Sequence, residues 1–250
     1  MQTIHIGTSG FYYEHWVGSF YPAHLPKAEW LPHYASRFKS VELNTTFYHL
    51  PKQSTLLHWL EATPEDFVFS LKGPREITHY KKLHEVRDEL LRFIHLVKPL
   101  KAKLGAVLFQ LPPSLHLDMP LLDRFLDSLP YGYRYALEFR HDTWLDRAIY
   151  DLLRLHNVAL CIDDYEKRQT PFIATADFLY IRRHGENGRY AGRYTPEALH
   201  ELAGKIETFI AEGKSVFCYF NNDFEAAACQ DAAALTQLLE NGYNRSIAIL

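Results

Sequence analysis

Cysteine is scarce in this chain, methionine is scarcer, and neither sign of charge dominates. The three cysteines, Cys161, Cys218 and Cys229, are an odd set, and the first two fall inside apolar runs. That usage does not build a disulfide scaffold and points to a reducing compartment. The formal net charge is −3, so there is no global basic field to hold nucleic acid regardless of sequence. Such binding would need a local patch. No apolar run approaches the roughly 18–20 residues that span a bilayer, so no membrane partner is expected. The first five residues lack a basic stretch followed by a long apolar one, and a cytoplasmic address is expected. Also missing are a nucleophile elbow, a Ser/His/Asp triad, a P-loop and zinc-binding spacing. No short repeat, low-complexity tract or linker interrupts the chain.

What is present fits one domain over residues 1–250. The length is near that of one α/β barrel, and the 47% hydrophobic and 23% charged fractions are ordinary for a globular protein. Eight apolar runs read as buried parallel strands: 4–7, 41–44, 67–72, 104–110, 135–140, 158–163, 178–184 and 216–221. Helical spacing lies between most of them, over 84–100, 119–129 and 144–156, and an Ala- and Leu-rich segment over 224–240 closes the chain. Thr143 with Asp146 resembles a capping box. Thr195-Pro196 reads as an N-cap followed by proline in the first turn. Strand–helix alternation carried to eight strands predicts a single (β/α)8 barrel of the TIM type. The link 164–177 has no helical period, so a regular helix after strand six is expected to be missing. The long aromatic connection 8–40 is expected to fold over the mouth of the barrel. The fourteen histidines are mostly scattered on helices and loops, as at His58, His95, His156 and His200, and read as surface or half-buried.

Strand parity supplies the candidate site. Successive strand residues face opposite sides. With Val41 and Leu43 on the helix side, Glu42 and Asn44 point into the lumen. The same parity sends Ser70, Lys72, Gln110, Glu138, Arg140, Asp163, Arg182, His184, Tyr219 and Asn221 inward, each at or near the C-terminal end of its strand. Barrel lumens are usually filled with aliphatic residues, and active sites collect at this end. Six charges in a lumen are costly unless paired or used. Glu42, Glu138 and Asp163 nearly balance Lys72, Arg140 and Arg182, so a closed ion network that only fills the barrel is the competing reading.

The adjoining loops are rich in aromatics. Phe11, Tyr12, Trp16, Tyr48, Trp144, Tyr190 and Tyr194 offer faces on which sugars or bases stack. The loop after strand seven carries Arg182, Arg183, Arg189 and Arg193 among Gly185, Gly188 and Gly192, which suits phosphate or carboxylate. Asn221-Asn222-Asp223 can turn the chain and cap the last helix, or meet a ligand. No metal or other cofactor is expected, because Lys72, Arg140 and Arg182 share the space with the carboxylates.

These segments together resemble the YecE-like family, the domain of unknown function numbered seventy-two. The matching residues are Gly7-Thr8-Ser9-Gly10 through Trp16 to Phe20-Tyr21-Pro22, Val41-Glu42-Leu43-Asn44-Thr45-Thr46-Phe47-Tyr48, Lys72 with Thr78-His79, and Leu108-Phe109-Gln110-Leu111-Pro112-Pro113. Glu138-Phe139-Arg140 with Trp144, Arg182 with His184-Gly185, and Tyr219-Phe220-Asn221-Asn222-Asp223 follow in order. The resemblance implies a barrel of the triosephosphate-isomerase type and brings no established reaction. Two departures stand out. Phe11 occupies a position where similar proteins usually carry Trp, and Gln230-Asp231-Ala232 replaces a common Asn-Ala pair.

The expected function is metal-independent acid/base chemistry on a polar, anionic small molecule, phosphorylated or nucleotide-like. Glu42, Glu138, Asp163 and His184 are the catalytic candidates. Asn44, Lys72, Gln110, Arg140, Arg182, Asn221, Tyr12, Trp16, Tyr48, Trp144 and Tyr190 are the binding candidates. Two alternatives stand beside it: a barrel that binds nucleic acid or cleaves phosphodiesters, and a non-catalytic binding protein with a buried ion network. The oligomeric state is left open.

Overall fold

The computed structural model describes residues 3–167, 170–187 and 189–247; Gly188 of the arginine-rich loop lies outside them. Eight strands form a closed parallel barrel in sequence order, with helices between strands. They are β1 Ile4–Ser9, β2 Ser40–Leu43, β3 Val68–Lys72, β4 Leu104–Gln110, β5 Arg134–Glu138, β6 Ala159–Asp163, β7 Phe178–Arg183 and β8 Ser215–Phe220. The α-helices among the described residues are α1 Trp30–Ala35, α2 Thr45–Tyr48, α3 Gln53–Glu61, α4 Arg87–Val97, α5 Met119–Asp127, α6 Arg147–Leu155, α7 Pro196–Ala211 and α8 Ala227–Ile247. Among the described residues no helix is long and apolar enough to cross a membrane. The chain divides into two compact units, one built from residues up to 41, 162–172 and 177 onward, the other from 42–161 and 173–176.

In the second unit β4 runs Leu-Gly-Ala-Val-Leu-Phe-Gln and is buried on both faces from Gly105 to Phe109, as a strand covered on both sides must be. It pairs with β5 in a register that sets Gln110 opposite Glu138 and with β3 in one that sets Lys72 opposite Leu108. This alignment places the polar ends of three successive strands side by side. The cap of α6 differs from the expected capping box. Asp146 is itself the N-cap, accepting from the Ala148 amide at 2.8 Å. The Thr143 hydroxyl instead accepts from the Leu117 amide and pairs with His141.

In the first unit β8 pairs with β1 and β7. Thr195 caps α7 as expected, accepting from Ala198, with Pro196 in the first turn. The opening connection meets the C-terminal end of β8, where the Trp16 indole donates to the Asp223 carbonyl at 2.7 Å. It is a packed aromatic layer in which Trp16, Tyr21, Trp30 and Tyr34 are all buried, with Tyr21 stacked on Trp30 at 4.7 Å between centroids. Large rings repay this burial strongly and fix one another's orientation. After β6 only a short 3-10 turn, Tyr165–Lys167, appears, and residues 170–177 carry no helix. Asp223 precedes another 3-10 turn, Phe224–Ala226, but its side chain makes no capping bond, so the plain N-cap reading fails there.

Gly7 of β1 shows how tight the first unit is. A methyl group at Gly7 would lie 1.9 Å from the Ser40 carbonyl oxygen, a backbone atom that cannot swing away. Gly7→Ala is therefore expected to cost at least the ~1–3 kcal/mol typical of overpacking, read as a lowered urea midpoint. Unchanged stability would show that the β1 backbone moves freely.

Candidate functional site

The second unit holds a continuous polar chain across the C-terminal ends of β3, β4 and β5. Lys72 donates to the Gln110 side-chain carbonyl at 2.9 Å, and the Gln110 amide donates to Glu138 at 2.9 Å. Arg140, two residues past Glu138, forms an ion pair with the same carboxylate oxygen. Glu138 is fully buried, and Lys72 and Arg140 are nearly so. The register explains the order: Gln110 lies opposite Glu138, and Lys72 stands one strand further along. Gln110 can bridge the two because an amide presents an acceptor to the ammonium and a donor to the carboxylate. Above Lys72 lies the Phe47 ring, 4.4 Å from the ammonium, and the Thr46 hydroxyl donates to the Lys72 carbonyl. Glu42 is buried, like its neighbours Val41 and Leu43, and Asn44 is half-buried. His79 packs edge-on to Phe47. Burial holds its imidazole below the usual histidine range, and the Lys72 charge adds to that.

The first unit gathers the other candidates. Asp163 closes β6; one of its oxygens accepts from the Tyr165 amide and the other from the Thr170 hydroxyl. Arg182 is buried and donates to Ser9. Asn221 meets Nδ1 of His184 at 3.3 Å, and the rings of Tyr165 and Tyr190 stand edge-on to the His184 imidazole.

Two residues that parity missed hold the arginine loop in place. Asp164 accepts from Arg183, from the His184 amide and from the Tyr194 hydroxyl. Asp231 on α8 is fully buried and accepts from Arg193, the Tyr194 amide and Asn222. Asn222 also donates to the Gly192 carbonyl. Two of the loop's four arginines are thus committed to aspartates rather than presented to an anion. Burial, followed by the Asp164 charge, pushes the Tyr194 phenol far above its ordinary value.

The aromatic candidates separate cleanly. Trp16 and Trp144 are fully buried. Their indole N–H groups donate to the carbonyls of Asp223 and Leu115, so they are structural and not a rim for stacking. Tyr12, Tyr48 and Tyr190 are exposed. All three cysteines are buried and free, and burial pushes the Cys218 thiol up to about 12, which leaves it inert as a nucleophile.

A parallel α/β barrel with charged and amide side chains gathered at its strand ends is the class of protein these features define. A family model described as Protein of unknown function DUF72 matches residues 5–248, and the chain belongs to that family. The UPF0759 protein YecE of Escherichia coli K12 is 40% identical over 112 residues, a stretch that covers 44% of this chain and only 41% of that protein. The UPF0759 protein YunF of Bacillus subtilis strain 168 is 24% identical over 96% of both chains. A solved DUF72 family protein from Thermotoga maritima superposes with a TM-score of 0.87 at 30% identity, covering 96% of this chain and all of that one.

Two predictions follow from the second unit. Arg140→Met takes the Arg140 ion pair from the buried Glu138 carboxylate and is expected to cost about 3–5 kcal/mol, measured by chemical denaturation at neutral pH. A loss under 1 kcal/mol would mean that Glu138 is compensated elsewhere. His79 has a depressed folded-state pKa, so below about pH 6.5 the unfolded chain takes up a proton that the folded one resists. Stability should therefore fall as pH drops from 7.5 to 5.5, and His79→Leu should flatten part of that fall. In an NMR titration, Lys72→Met should raise the His79 midpoint; an unmoved midpoint would remove Lys72 as a cause.

Proposed function

We propose that this chain acts as a single-domain enzyme on a polar, anionic small molecule, phosphorylated or nucleotide-like, by acid/base chemistry at the C-terminal mouth of the barrel. The observation that carries the reading is the buried chain Lys72–Gln110–Glu138–Arg140 at the ends of three successive strands. This is the end of such barrels where reacting groups collect. Glu138 and Glu42 exchange protons with the substrate, and Asp163 and His184 carry protons on the other strands. Asn221 on Nδ1 orients the His184 ring. Lys72 and Arg182 take the anion or the charge that develops in the transition state, and Asn44, Gln110 and Asn221 hold its polar groups. Tyr12, Tyr48 and Tyr190 supply stacking faces. The reading calls on no metal, because Arg140 pairs with the Glu138 carboxylate and places a positive charge beside it. The protein is expected to work in the cytoplasm.

The competing reading, a non-catalytic protein whose charges only fill the lumen, is favoured by the direct pairing of Glu138 with Arg140. One pair of measurements separates the two. A thermal-shift screen of sugar phosphates and nucleotides should find a compound that raises the melting point, since a ligand at one hundred times its Kd adds about 2.7 kcal/mol. Arg182→Ala and Lys72→Met should abolish that shift. Glu138→Gln should then keep binding and lose turnover of the same compound. No shift with any phosphorylated compound, together with a strongly destabilised Glu138→Gln, would leave the ion network as the function of these residues.

A further inference from the structure

The loops after β2 and β3 form a cleft of about 500 Å³ whose wall includes Phe47, Tyr48, Leu50, Arg75, Tyr80 and Lys81. That volume lies in the range of small-molecule sites. Gly73 makes the path of the second loop possible, since a Cβ there would strike the Phe109 ring at 2.3 Å. The chain then passes through the buried Pro74 into a single π-type turn, Glu76–Tyr80, closed by the Lys81 amide on the Glu76 carbonyl. Turns of this kind are uncommon and often sit at functional sites.

Three side chains in this cleft expose apolar surface together: Tyr48 is 56% exposed, Tyr80 66% and Leu50 44%. The Arg75 guanidinium sits 5.7 Å from the centre of the Tyr48 ring and 5.2 Å from that of Tyr80. Both distances are within cation–π range. Among the described residues Arg75 meets no carboxylate and no hydrogen-bond acceptor, whereas Lys81, the other cation of the cleft, is held by Glu89 at 2.9 Å. Among the described residues Arg75 is therefore the cation of this cleft without a carboxylate partner; Glu76, an exposed carboxylate of the same wall, forms no ion pair with it, and the planar fork of donors on Arg75 suits a phosphate or carboxylate.

We propose that this cleft binds a planar aromatic group that carries an anion, with the ring lying against Tyr48 and Tyr80 and the anion on Arg75. The inference rests on the reading of the barrel mouth as a binding site and gives its substrate a chemical class. Phe47 connects the two places, because it walls the cleft and also covers the Lys72 ammonium. A stacked ring with no anion would leave Arg75 unused, and an anion with no ring would leave the exposed tyrosines unused.

The test is equilibrium binding of three probes to the full chain: adenosine 5′-monophosphate, adenosine and inorganic phosphate. The monophosphate is expected to bind at least about tenfold tighter than either fragment, a gap of about 1.4 kcal/mol. Arg75→Met should weaken it by a similar factor, and Tyr48→Leu and Tyr80→Leu should weaken the monophosphate and adenosine alike. All three side chains lie at the surface, so a melting curve suffices to show that each variant is folded. Lys72→Met separates the two readings. Binding lost with Arg75→Met but kept with Lys72→Met supports the cleft and shows that Lys72 does not hold this ligand, which counts against the role given to Lys72 at the mouth and not against the cleft. Binding lost with Lys72→Met but indifferent to Arg75→Met overturns the cleft and leaves the mouth standing. Equal binding of the monophosphate and adenosine, or no binding of any probe, overturns the cleft as an anion site.

Discussion

Burying the Glu138 carboxylate is the constraint around which the strand ends of the second unit are arranged. A charge taken out of water costs several kcal/mol unless hydrogen bonds and an opposite charge replace its hydration. The β4–β5 register supplies the first replacement by setting Gln110 opposite Glu138, and Arg140 supplies the second. Gln110 then has its carbonyl left for Lys72. The identities at these positions depend on one another. A glutamate at 110 would set two carboxylates side by side, and a lysine there would face the Lys72 ammonium. Only a neutral group with one donor end and one acceptor end joins the two charges. Phe47 completes the arrangement with an aromatic face over Lys72 in place of bulk water.

The first unit solves a different problem with the same means. Among the described residues after β6 no regular helix covers the strand as one normally does in a barrel, and side chains take over the work of holding the link. Asp164, next to the strand end, binds three groups from the loop after β7. Asp231 on α8 binds two more, Arg193 and the Tyr194 amide, together with Asn222 from the loop after β8. Further along the link, the ring of the half-buried Phe172 lies 5.8 Å from that of Phe209 on α7. The arginine-rich loop is thereby held at defined points by charge-assisted bonds, each stronger than a neutral one.

Much of this was legible in the sequence because strand periodicity is fixed at two. With eight apolar runs, parity puts Glu42, Lys72, Glu138, Asp163 and Arg182 on one face of their strands; all five are buried, as are their strand neighbours, and Lys72, Gln110 and Glu138 do join in one chain. The cap at Thr195 was legible for the same reason, since it depends only on neighbours within one turn. What failed was whatever depends on residues far apart in the chain. The composition of the arginine loop announces cations, but not that Arg193 is spent on an aspartate 38 positions later. Trp16 and Trp144 carry the same composition signal as a stacking rim, yet each indole finds a backbone carbonyl from another segment and is buried. Asp146 rather than Thr143 caps α6, because Thr143 is drawn away by the Leu117 amide of the preceding connection. Arg75 and Tyr80 gave no signal, since their pairing depends on the path taken after Gly73.

The cations of the molecule therefore differ in what the fold asks of them. Arg140 compensates a buried carboxylate, Arg183 and Arg193 hold a loop, and Lys103 ties the end of α3 by donating to the Leu60 and Thr63 carbonyls. Removing any of these leaves a polar group without its partner, so stability alone explains their presence. Arg75 differs. Among the described residues it compensates no carboxylate and completes no hydrogen bond, and the tyrosines beside it expose most of their surface. A surface that needed only solubility would scatter such rings and pair or solvate such a charge. Rings and charge kept together in one cleft give the fold little, and that is the pattern expected where a side chain is retained for what it binds.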